Sequence, residues 1–154
     1  MPRRPIVLAL AAAATALAGC GGGDPTAFAG ATDRTCRDVA SAVTTLRQEL
    51  VRREGSSVER ALRSAIDAYA GRIERAASAL AAADPPGDQR DFRDDAVGGL
   101  REHAKLMREA ARAASRGSVP TTLAAQLQRS GPAALPEIPD EVLEHAPACR
   151  AALR

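Results

Sequence analysis

Between residues 33 and 116 apolar side chains recur every three or four positions in three successive segments, and this spacing dominates what the chain can fold into. The first segment carries Cys36, Val39, Val43, Leu46 and Leu50. The second carries Leu62, Ile66, Tyr69, Ile73, Ala76, Leu80 and Ala83. The third carries Phe92, Ala96, Leu100, Met107, Ala110 and Ala114. A stripe of this period lines one face of an α-helix and must be buried against another element. Breaks fall where helices end. Glu54-Gly55 closes the first segment, Asp84-Pro85-Pro86-Gly87 the second and Gly117 the third. Thr32-Asp33 is expected to cap the first helix. Ser56 and Glu59 form a capping box for the second. The fold expected is all-α: an Ala-rich antiparallel bundle of three long helices, with a shorter fourth over Pro120–Arg129.

Composition says how such a bundle is packed. The chain has 154 residues, of which 36 are Ala and 2% are aromatic. The rings are Phe28, Tyr69 and Phe92, with no Trp. Alanine lets helices approach closely but contributes little apolar area per residue. A β-rich fold is excluded by the shortage of β-branched and aromatic residues. An aromatic platform for stacking bases is excluded by the same count. After Gly131, Pro132, Pro136, Pro139 and Pro147 leave room only for short turns, such as Asp140 to His145. This C-terminal stretch is expected to lie as a strap on the bundle.

The first 20 residues read as an address. Arg3 and Arg4 precede an apolar run, Ile6 to Ala18, too short to span a bilayer as a stable helix. The run ends in Leu17-Ala18-Gly19-Cys20. This resembles the lipobox of bacterial lipoproteins. The resemblance implies cleavage after Gly19, a diacylglyceryl group on the Cys20 sulfur, and a mature chain starting at Cys20. Two acyl chains are what stable anchoring requires. The expected organisation is a signal peptide over 1–19, a lipidated flexible tether over 20–32 that includes Phe28, and a bundle domain over 33–154. The location implied is the outer face of the cell membrane, or the outer membrane in a source with two. Loss of Arg3 and Arg4 leaves 19 basic residues against 19 acidic ones, so the precursor's +2 becomes zero. Nucleic-acid binding then has no compositional support.

Cys36 and Cys149 remain in an exported domain, and an even pair in an oxidising compartment is expected to form a disulfide that pins the strap to the first helix. The alternative is two buried thiols acting as small hydrophobes.

Candidates for chemistry are few. His103 falls on the apolar face of the third helix, and a buried imidazole needs a hydrogen-bond partner. Tyr69, on the stripe of the second helix, is the natural one. The pair is either a satisfied core contact or the wall of a small-ligand or sensor pocket. His145 and Glu141 stand four residues apart, which reads as a solvated pair. Arg101, Lys105, Arg108, Arg112 and Arg116 share an arc of about 80° opposite His103. They form either a solvated face or a surface for an envelope protein, a polyanion or lipid headgroups. No nucleophile, phosphate-loop or metal motif is present in the sequence, so no enzyme activity, cofactor or metal is expected. The role expected is a non-catalytic binding or accessory module of the cell envelope. A structural envelope protein is the third alternative. The oligomeric state is not encoded in any recognisable pattern.

Overall fold

The computed structural model describes residues 22–51, 58–116, 121–122, 125–126 and 135–152. Helix α1 runs Pro25–Val51, α2 Val58–Ala81 and α3 Arg90–Ala114, with a 3-10 turn at Gly87–Gln89 leading into α3. Two short helices follow, α4 at Asp140–Glu144 and α5 at Pro147–Ala152. No strand occurs among the described residues. The long helices pack in the order α1–α2–α3, and α4 and α5 lie against α1. The architecture is the all-α bundle with a proline-rich strap that the periodicity implies. Of the fourth helix expected over Pro120–Arg129, residues 121–122 and 125–126 are helical, and the rest lies outside the described residues. The capping box at Ser56 also lies outside them, as does the segment 1–21 with its lipobox.

The start of α1 corrects the expected boundary. The helix begins at Pro25, not after Thr32-Asp33. Asp24 is its cap: the carboxylate accepts hydrogen bonds from the backbone N–H of Thr26 at 2.8 Å and Ala27 at 3.4 Å. Asp followed by Pro is an apt helix start, because Pro presets the helical φ and lacks an N–H that would have no partner there. Phe28 is therefore no tether residue. It is 1% exposed and meets Phe92 of α3 edge-to-face, with ring centroids 6.3 Å apart. Thr32 and Thr35 are buried within the helix, their hydroxyls donating to the carbonyls of Phe28 and Ala31 at 3.1 Å. Asp33 does cap a helix, but a different one. Its Oδ1 accepts the backbone N–H of Ala148, in the first turn of α5, at 2.6 Å, and its Oδ2 pairs with Arg37. The residue type signalled a cap correctly, and only the strap's return to α1 decides which N–H group it serves.

Among the described residues the core has two main parts, and Leu106 and Ala113 of α3 form a third, small one. At one end Phe28, Ala29 and Cys36 of α1 meet Leu80 of α2, Phe92, Ala96 and Val97 of α3, and Ile138, Val142, Ala146 and Cys149 of the strap. Along the middle Val39 and Ala42 meet Tyr69, Ala70, Ile73, Ala76 and Ala77, with Leu100 and Ala104. Toward the start of α2 the buried face shifts by one position. Ala61 and Ala65 are buried there, while Leu62 and Ile66 are half-buried. In α3, likewise, Met107 and Ala110 are half-buried and Ala114 is exposed, with Leu106, Ala111 and Ala113 buried instead.

Cys36 and Cys149 are joined, with Cα atoms 5.1 Å apart and 113 residues of separation. The loop so closed encloses α2, α3 and the part of α1 that follows Cys36. Restricting the unfolded chain over that length corresponds to about 4.8 kcal/mol on the chain-entropy account. That is a large addition for a core in which 12 of the 25 described buried apolar residues are alanine.

Candidate functional site

Position 69 of α2 and position 103 of α3 face each other in the middle of the bundle. The Tyr69 hydroxyl lies 2.9 Å from His103 Nε2, and the rings meet edge-to-face at 5.8 Å. Both residues are buried, at 4% and 5% exposure. Burial pushes the Tyr69 hydroxyl up to about 12 and pushes the His103 imidazole below its usual range. Both groups are consequently neutral near pH 7. Which of the two donates follows the imidazole tautomer: the phenol donates when the ring proton is on Nδ1, and Nε2–H donates when it is on Nε2. The arrangement holds α2 to α3 through a polar bond inside an apolar seam.

A groove of about 30 Å³ opens between α1 and α2, lined by Ala42, Thr45, Leu46, Ala65, Tyr69 and Arg72, among others. That volume holds about two waters. Tyr69 forms part of its wall, while His103 is not among its lining residues. Across the groove Arg72 donates to the Thr45 hydroxyl at 2.7 Å, tying α1 to α2. The sequence pattern thus places Tyr69 and His103 together correctly, and packing makes the pair a contact between helices.

The basic face is divided. Arg101, Lys105 and Arg112 are exposed along α3, and Arg116 is exposed in the turn just after it, since the helix ends at Ala114 and not at Arg116. Arg108 is not available in the same way, which corrects its assignment to a partner-facing stripe. It reaches α2 and forms a two-pronged ion pair with Glu74, Nη2 to Oε2 at 2.9 Å and Nη1 to Oε1. The side chains are 29% and 44% exposed. Hydrogen bonding to Arg108 holds the Glu74 carboxyl below the usual carboxylate range, and Arg108 is raised in turn. Helical-wheel reasoning missed Glu74, because a wheel orders the residues of one helix and gives no rotation between two. Lys105 has Glu102 at 3.5 Å on its own helix.

The other candidates are placed as follows. Glu141 and His145 are exposed on and just after α4. Among the described residues no group of three His, Cys, Asp or Glu side chains converges in a way that could hold a metal ion. No described helix is long and apolar enough to cross a membrane. Cys20 lies outside the described residues.

One feature of the N-terminal stretch has no counterpart in the composition. Gly22 and Gly23 do not hang free but lie against the α2–α3 turn. The Gly23 N–H donates to the Pro85 carbonyl at 3.1 Å. A Cβ on Gly23 would stand 1.8 Å from the Asp84 carbonyl oxygen, and one on Gly22 would stand 3.3 Å from the Gly87 nitrogen. Position 23 therefore accepts only glycine, for reasons of close approach. The expected slack tether is in this part a seated segment.

Comparison with protein-family models, with curated proteins and with solved structures finds no match to this chain.

Proposed function

We propose that the chain is an exported lipoprotein, anchored by a diacylglyceryl group on Cys20, whose helical bundle serves as a non-catalytic binding or accessory module of the cell envelope. The observation that carries this reading is the run from Arg3-Arg4 through Ile6–Ala18 to Leu17-Ala18-Gly19-Cys20. Charge, apolar length and the small residues before Cys20 agree with one processing route. The Cys36–Cys149 bridge supports it independently, since such bonds persist in oxidising compartments outside the cytosol. The non-catalytic half of the reading draws on the Tyr69–His103 pair. This buried polar pair is neutral near pH 7 and engaged between helices. The surface offered to a partner is the exposed Arg101, Lys105 and Arg112 on α3 with Arg116 just beyond it.

Intact mass of the membrane-extracted protein tests the anchor. The expected result is a chain beginning at residue 20 that carries acyl chains, with Cys20→Ala appearing as soluble protein or uncleaved precursor. A mature chain with an unmodified thiol at residue 20 refutes it. The surface role predicts an envelope partner whose capture weakens in high salt and on Arg112→Glu, while Arg108→Glu disturbs the fold first.

A further inference from the structure

Gly22 and Gly23 rest on the α2–α3 turn, and Cys20 is two covalent steps before Gly22. An extended chain covers at most about 3.6 Å per residue, so Cys20 lies within about 7 Å of the seated Gly22. The polar layer on each side of a bilayer's hydrocarbon core is itself only about 5–7 Å deep. Even with the few bonds that the Cys20 side chain and the glycerol add, a thioether whose acyl chains lie in the core keeps the turn close to the headgroups. From this we infer that the end of the bundle formed by the Asp84–Gly87 turn, the first turn of α1 and the start of α3 is the membrane-apposed face, and that the α3 end with Arg112 and Arg116 is held away from the lipid.

In cells this placement rests on the lipid-anchor reading. The apposed end is the better-fastened end of the molecule. It contains the Phe28–Phe92 contact, the disulfide and the strap. Around the turn and the starts of α1 and α3 the exposed charges are Asp24, Asp84, Asp88, Asp91 and Asp94 against Arg90, and the strap adds Glu137, Asp140, Glu141 and Glu144 against Arg150. A mostly acidic end gains nothing from an anionic surface, so the short seated link, and not charge attraction, sets the orientation. Along α3, residue 112 lies 21 positions beyond residue 91, a rise of about 32 Å. An upright bundle thus places these two exposed positions at very different heights.

The disulfide makes a direct test practical, because it leaves Cys20 as the one free thiol of the 20–154 chain. That chain is coupled through Cys20 to a maleimide lipid in phosphatidylcholine vesicles, with and without phosphatidylglycerol. A fluorescent amino acid stands at Asp91 or at Arg112, and a short-range quencher is attached to the headgroups. The expected result is strong quenching at 91 and little at 112 in both lipid mixtures. Inserting a Gly-Ser stretch between Gly21 and Gly22 leaves the fold intact and should reduce quenching at 91. Gly23→Val should do the same by unseating the link. Equal quenching at the two positions, stronger quenching at 112, or indifference to the longer link overturns the orientation. Native intact mass separates the two ideas: a chain without acyl groups overturns the anchor in cells, whereas the vesicle result stands or falls on the seat alone.

Discussion

Replacing both Cys36 and Cys149 with alanine should weaken the fold by several kcal/mol without changing its helix content. The bridge spans 113 residues of sequence, and closing a loop of that length removes about 4.8 kcal/mol worth of freedom from the unfolded chain. A domain of this size has roughly 5–15 kcal/mol in total, so the bond is a major share of it. With an unfolding entropy near 2.1 cal/mol/K per residue over the 131 residues from 22 to 152, the loss corresponds to a fall in Tm of about 17 °C. The two sulfurs are buried at 2% and 0% exposure, and their removal adds a small packing loss. Equilibrium unfolding in urea, followed by far-UV circular dichroism, measures the effect. The midpoint should fall and the m-value should rise, because the uncrosslinked unfolded chain exposes more surface. Amide exchange should quicken first over Ile138–Cys149, where the strap keeps only its apolar contacts and the Asp33–Ala148 hydrogen bond. A loss below about 1 kcal/mol with an unchanged m-value would refute the idea that the bond acts through the unfolded state.

Four other perturbations probe three further parts of the structure. Phe28→Ala should cost about 3–5 kcal/mol by opening the Phe28–Phe92 contact, whereas a tether residue would show no change in urea midpoint. The depressed His103 imidazole takes up a proton in the unfolded chain before the folded one. Stability should therefore be complete above about pH 6.5 and decline as pH falls toward the folded value, a slope that His103→Gln should flatten. Tyr69 works in the opposite sense: its hydroxyl, raised to about 12, makes the fold lose up to about 2.7 kcal/mol as pH climbs from 10 to 12, and Tyr69→Phe abolishes that alkaline loss. A double-mutant cycle on Glu74→Gln and Arg108→Gln should give a coupling of about 0.5–1 kcal/mol that shrinks in high salt, and zero coupling at low salt contradicts the pair's role.

Local signals were sufficient for much of this molecule. The 3–4 spacing implied three long helices, Pro85-Pro86 marked the turn between α2 and α3, and the even pair Cys36 and Cys149 implied their bond. Tyr69 and His103 could be paired because each was the polar member of an otherwise apolar stripe. Other features were not legible, because they depend on how elements meet. Asp24-Pro25 carries a start signal as good as Thr32-Asp33, and only the ring of Phe92 waiting for Phe28 decides between them.

What the sequence by itself determined was the class of fold and the ends of most helices. These follow from period, from proline and glycine chemistry and from the order of charged and apolar residues, all of which act within a few positions. Tertiary structure alone decided that Asp33 caps α5, that Arg108 belongs to Glu74, and that Gly23 is seated on the α2–α3 turn. Each of these joins residues 34 to 115 or about 60 positions apart in the chain. Their meeting is set by helix rotation and by the returning strap, which no pattern along one helix contains.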